Sequence, residues 1–161
     1  MANRKETKKE EQSLGSFLRL RSLALAEQAD RGVLGTLDDE GYPYTSLVEL
    51  SFDGEGNFWL LLSNLAFHTR NIRRDVRASL LIRDEEEDEG DTLATTRASY
   101  LGRIIAAEHR RDEIAEQYLA RHPQAADFLK FSDFRFYRFR VERVRVVAGF
   151  GRIGWVDPND W

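Results

Sequence analysis

Six residues suited to holding an anion fall within one stretch, WLLLSNLAFHTRN: Ser63, Asn64, His68, Thr69, Arg70 and Asn71. Hydroxyl, amide, imidazole and guanidinium groups all donate hydrogen bonds. Ser63 is a favoured N-cap type, and Leu65, Phe67–His68 and Ile72 recur at roughly helical spacing, which predicts a helix starting at Ser63. A helix N-terminus carries unpaired N–H groups and the positive end of the helix dipole. The pattern therefore fits a phosphate seat. It fits equally an ordinary capped helix with a solvated basic face.

The other chemistry-bearing residues are scattered. Cysteine is absent, which excludes disulfides, thiolate metal sites and a Cys nucleophile. His109 lies in the charged run EHRRDE and reads as solvated. His122 precedes Pro123 between helical segments and reads as a surface or capping residue. The run DEEEDEGD, Asp84–Asp91, holds seven acids in eight residues but lacks regular ligand spacing for a cation. It reads as a solvated, self-repelling loop. No residue is nominated as a general acid or base.

The elements that position these residues follow from hydrophobic periodicity. Residues 1–13 form a mixed-charge tail expected to be disordered. Leu14–Ala29 is an amphipathic helix. Six strands are predicted: Val33–Leu37, Tyr44–Phe52, Phe58–Leu62, Arg77–Arg83, Thr95–Ala107 and Asp133–Val147. Phe58–Leu62 has no alternation, the mark of a strand buried on both faces. Gly102 reads as a bulge or a point of close approach. Helices are predicted at Arg110–Leu119 and Gln124–Phe131, the second opened by Pro123. In the last strand the apolar face changes phase, from Phe134 and Phe136 to Tyr137, Phe139 and Val141, then Val144 and Val146, which predicts a bulge or sharp bend. Five Arg lie between Arg135 and Arg145 of that strand. They read as an exposed face rather than a nucleic-acid surface, since the net charge is −4 and no recognition motif accompanies them. Residues 156–161 read as a C-terminal tail, with Trp155 and Trp161 exposed.

The chain has 161 residues, 42% of them hydrophobic and 11% aromatic, enough for one domain with a real core, placed at residues 14–155. No apolar run reaches the ~18 residues of a membrane span, and the charged N-terminus is not a secretory signal. With no cysteine, the composition suits the cytoplasm. Strands in hairpin connection, without a βαβ rhythm or a G-x-G-x-x-G loop, predict a mainly β protein with peripheral helices: a six-stranded antiparallel barrel. Barrels of this kind hide leftover apolar edges by dimerising.

The segments GYPYTSLV (Gly41–Val48), LLSNLAFHTRNI (Leu61–Ile72) and DVRASLLI (Asp75–Ile82) resemble the pyridoxamine 5'-phosphate oxidase-like FMN-binding split barrels. LATTRASYLGR (Leu93–Arg103), HPQA (His122–Ala125), FSDF (Phe131–Phe134) and AGFGR (Ala148–Arg152) are similar to the haem-iron-utilisation branch of that superfamily. The motifs occur in the family's order and cover about residues 17–155.

The resemblance implies a Greek-key split barrel and a homodimer with FMN in a groove between subunits. Thr45, Ser46 and Leu47 would line the flavin ring and ribityl chain. Ser63, His68, Thr69, Arg70 and Asn71 would hold the phosphate, and Arg97 would reach across from the second subunit. A deazaflavin meets the same description, because it too has a phosphate and a three-ring head. The true oxidases carry Arg and Lys where this chain has Thr45, Leu50, Phe67 and His68, so the expected function is a flavin-dependent oxidoreductase of unknown small-molecule substrate, not a pyridoxamine phosphate oxidase. Haem binding is one alternative. Haem-degrading members use a His in a C-terminal extension, and no His follows His122 here. A cofactor-free dimeric domain is the other.

Overall fold

Leu50 marks the corner around which the barrel closes. The computed structural model describes residues 2–85, 93–107, 109 and 111–161, with backbone only for residues 2–8. β1 (Arg31–Leu37) and β2 (Pro43–Glu49) form a hairpin. At Leu50 the chain bends, its N–H donating to Asp30 O, and β3 (Ser51–Phe52) leaves β1 to pair with β4 (Asn57–Ser63). One predicted strand thus serves both ends of the sheet.

The sheet continues through β5 (Arg77–Arg83), β6 (Arg97–Ala106), β7 (Phe134–Val147) and β8 (Ile153–Val156), in the antiparallel order β2-β1-β5-β6-β7-β4-β3 with β8 on β7. The fold is the expected antiparallel split barrel with peripheral helices. The strand count is corrected from six to eight among the described residues: the bend at Leu50 divides one strand, and β8 lies in the segment read as glycine-rich tail.

The long β7 shares one edge, giving residues 134–140 to β4 and residues 144–147 to β8. This requires the bend that its sequence foreshadowed. Leu101 pairs with Arg143 and Gly102 with Val141, so Glu142 is the extra residue of a bulge. Val141 and Val144, three apart, therefore both face the core.

Two apolar clusters flank β4. Phe58, Leu60 and Leu62 are buried in the barrel with Leu34, Tyr100 and Phe139. Trp59 and Leu61 point the other way, against Ile114 and Tyr118 of α3 (Arg111–Arg121), Ala125 of α4 (Ala125–Phe128) and Phe136. A strand covered on both faces needs no polar alternation.

The first helix, α1 (Ala2–Gln28), plugs one end of the barrel with Leu18, Ser22, Leu25 and Ala26. It begins well before Leu14, so the tail expected to be disordered is helical from Ala2: its Ala, Lys, Glu and Gln residues are strong helix formers. The C-terminus is also corrected. Trp161 packs on Phe52 and Tyr100, and its Nε1 donates to Ser22 Oγ at 3.0 Å, while Trp155 is exposed as expected. Residues 86–91 of the acidic run lie outside the described residues. No described helix is long and apolar enough to cross a membrane.

Candidate functional site

The barrel is open where two strand edges face each other without pairing. β2 ends the sheet, and β4 pairs with β3 only at Phe58 and Trp59. The gap holds a cavity of about 280 Å³. Leu47 and Leu61 stand on its two edges, His68 of α2 (Phe67–Arg74) closes one end, and Tyr118, Phe128 and Phe134 form the outer wall.

His68 is the chemically distinctive residue here. Its Nδ1 lies 3.1 Å from Ser46 Oγ on the inward face of β2. Burial lowers its pKa below the ordinary histidine value, so the ring is neutral at pH values where an exposed imidazole has begun to protonate. In the tautomer whose Nδ1–H donates to Ser46, Nε2 keeps a lone pair that could take a metal. Burial also pushes the Tyr118 phenol upward, which keeps it a hydroxyl rather than a phenolate.

The structure brings together Ser46, Leu47, Ser63 and His68 of the predicted site residues, the last three lining the cavity and Ser46 holding the imidazole. The others lie elsewhere. Thr45, opposite Gly35, shares the outward face of β2 with Leu47 but does not line the cavity. Thr69 and Asn71 are turned inward and buried; Asn71 Nδ2 donates to Thr36 Oγ1, and Thr69 Oγ1 has no partner. The Arg70 guanidinium lies over the Phe67 ring. Arg97, at the start of β6, donates to Thr95 O and does not line the cavity.

The helix start is corrected as well. Ser63 is not its N-cap, because a turn over Ser63–Ala66 comes first and α2 begins at Phe67, with Ala66 in the cap position and no side chain capping it. Ser63 Oγ accepts from Leu65 N–H and donates to Asp133 Oδ2 at 2.6 Å. His122 is not a surface residue either: it is 3% exposed, packs with its ring tilted against Tyr118 and donates from Nε2 to Leu50 O at 2.8 Å. This bond clamps the end of α3 to the corner of the barrel.

Sequence reasoning missed Phe128, Phe134 and Asp133 as parts of this site. The FSDF motif held the signal, but nothing local says that it folds back onto Ser63.

The model of the CREG β-barrel family matches residues 21–161. The chain belongs to that family. Its fold is that of the pyridoxamine 5'-phosphate oxidase-like split barrels, and its relatives lie in the haem-utilisation branch. The barrel is 33% identical over 120 residues to the non-canonical haem oxygenase HOZ of Arabidopsis thaliana chloroplasts, a match covering 73% of this chain and 36% of HOZ. It is 27% identical over 132 residues to the haem oxygenase HutZ of Vibrio cholerae, covering 79% of this chain and 74% of HutZ. A haem-binding protein from Mycobacterium smegmatis superposes with a TM-score of 0.81 at 31% identity, over 88% of this chain and 58% of that one. This CREG-type barrel thus spans about a third of HOZ and somewhat over half of the mycobacterial protein.

Proposed function

We propose that this protein binds haem at the β2–β4 opening, with His68 as the ligand to iron. The observation that carries the reading is the placement of His68: half-buried, with Nδ1 3.1 Å from Ser46 Oγ, and set in a largely apolar cavity where burial favours the neutral ring. Haem iron takes an axial His, and the hydrogen bond on the other ring nitrogen orients such a ligand. The cavity fits the ring in its chemistry: Leu47, Leu61, Phe128 and Phe134 offer apolar and aromatic surface, and the one carboxylate of the lining is Glu49. Bound haem supplies redox-active iron. His68 would hold the iron, and Leu47, Leu61, Phe128 and Phe134 would hold the ring. Relatives named as haem oxygenases support haem as the ligand, and two of the three relatives extend well beyond the part this chain matches. The reading put forward is haem binding. A cysteine-free chain suits a reducing compartment such as the cytoplasm.

Flavin binding has less support. A flavin phosphate needs convergent donors, whereas Ser63 is committed to Asp133 and Asn71 to Thr36. Titrating the full chain with haemin and, separately, with FMN decides between them. The expected result is a stoichiometric shift and sharpening of the Soret band, with no FMN response. His68→Ala should lose the His-ligated spectrum and weaken haemin binding by about tenfold or more. An unchanged haemin spectrum alongside quenched FMN fluorescence would reverse the assignment.

A homodimer is part of the same proposal. Leu47, Val33 and Leu81 stand in register across β2, β1 and β5 on the face turned away from the barrel core, and all three are exposed. Beside them runs a row of small residues, Thr45, Gly35 and Ser79. An exposed apolar stripe on a sheet face is the kind of surface a second copy covers in a two-fold pair. Sedimentation should give a dimer for the native chain and a monomer for Leu81→Lys. A native monomer would remove this part of the proposal.

A further inference from the structure

We infer that Phe128 and Phe134 form the ring-selecting wall of the cavity and that Asp133 is the positioning residue that fixes it; this inference rests on the haem reading. The two rings stack with centroids 5.2 Å apart and planes 26° apart, and both line the cavity. Phe128 remains 43% exposed, although α4 has a buried side, at Ala125, where an aromatic ring would be covered. Phe131 is also exposed, with its ring 6.4 Å from that of Phe134. Aromatic surface left at the mouth of an opening fits a planar conjugated ligand, which gains offset stacking there in addition to area burial.

The wall is anchored at one point. Ser63 and Phe134 are the last pair of the β4–β7 ladder. Just before Phe134, Asp133 takes two hydrogen bonds from the turn that leaves β4: Ser63 Oγ donates to its carboxylate at 2.6 Å and Asn64 N–H to its carbonyl at 2.7 Å. Asn64 Oδ1 in turn accepts from Arg73 at 2.6 Å and from the Tyr137 hydroxyl at 3.2 Å. The same lock therefore reaches α2, the helix that carries His68. Ser63–Asn64 and Asp133, far apart in sequence, meet to hold the two opposed walls in register.

Iron ligation and ring stacking can be separated with two probes: haemin, followed by absorbance, and iron-free protoporphyrin, followed by fluorescence. Phe128→Leu keeps apolar surface but loses stacking, and should weaken both probes by about two- to tenfold. His68→Ala should weaken haemin alone. Asp133→Ala should weaken protoporphyrin as Phe128→Leu does while haemin keeps its His-ligated Soret position, and Asp133→Asn should recover part of the loss. If the native protein binds both probes and Phe128→Leu binds them equally well, the wall plays no part in selection and the inference is overturned. If Asp133→Ala lowers the unfolding midpoint but leaves both affinities unchanged, Asp133 is structural only and its positioning role is overturned. If the native protein binds neither probe, the haem reading itself is overturned, and this inference with it.

Discussion

Gly102→Ala should cost about 3 kcal/mol or more of unfolding free energy, at the upper end for overpacking a well-packed site. A Cβ on Gly102 would press into the carbonyl group of Arg140, and it would lie 3.2 Å from Val141 Cα. Both obstacles are backbone, so no side-chain rotation relieves them. Nor can the partner strand retreat cheaply, because the bulge around Glu142 is what allows β7 to serve β4 on one stretch and β8 on the next. Moving β7 away from β6 would disturb the longest strand pairing of the barrel. Against a typical domain stability of roughly 5–15 kcal/mol, the loss is large. Urea unfolding followed by tryptophan fluorescence measures it. A midpoint like that of the native chain would mean the bulge is more plastic than its geometry indicates.

This glycine also shows what was legible in the sequence. Gly102 and the phase change of the last strand are local signals, and each names the same bulge from its own side of the ladder. One part of the phase change has a different origin. Phe136 and Tyr137 are adjacent and both buried because each belongs to a different core, Phe136 beneath α3 and Tyr137 inside the barrel. Periodicity alone does not distinguish a bend from a second covered face. The lack of alternation in Phe58–Leu62 was read correctly for that very reason.

What escaped the sequence depends on partners distant along the chain. Ser63 has the chemistry of an N-cap, but its hydroxyl bonds a carboxylate 70 residues away. Trp161 reads as a loose end until Ser22, 139 residues earlier, supplies an acceptor for its indole N–H. The candidate site divides in the same way. His68 was visible as a chemistry-bearing residue and Ser46 only through the family resemblance, and their meeting required that α2 pack across β2. The inward turn of Thr69 and Asn71 follows from which side of α2 faces β1, and an eight-residue helix rich in polar residues gives little hint of that. The aromatic wall stayed hidden because Phe128 and Phe134 read as ordinary apolar positions of a helix and a strand, and nothing local says that they meet beside Ser63.

Phe58→Ala and Leu61→Ala test whether the two faces of β4 do separate work. Phe58 is fully buried, with ring centroids 5.1 Å from both Phe52 and Tyr100 and 6.2 Å from Phe139. Truncating it removes a ring from the centre of the barrel and leaves a void that neighbours fixed in strands can fill only in part, an expected loss of about 3–5 kcal/mol. Its side chain points away from the opening, so at temperatures well below unfolding haemin affinity should match the native value. Leu61 is three residues along the same strand and on the opposite face, half-buried at the edge of the cavity. Leu61→Ala should cost less stability, about 1–2 kcal/mol for a partly covered side chain, yet weaken haemin binding because the apolar edge that meets the ring is gone. Thermal unfolding and haemin titration on both variants give four values, and the proposal requires them to cross: stability lost with binding kept for Phe58→Ala, binding lost with most stability kept for Leu61→Ala. If both variants lost affinity in proportion to stability, the opening would be only as well ordered as the barrel behind it. The strand would then hold no wall independent of the core. If neither lost affinity, the ring would sit elsewhere, and β4 would serve the fold alone.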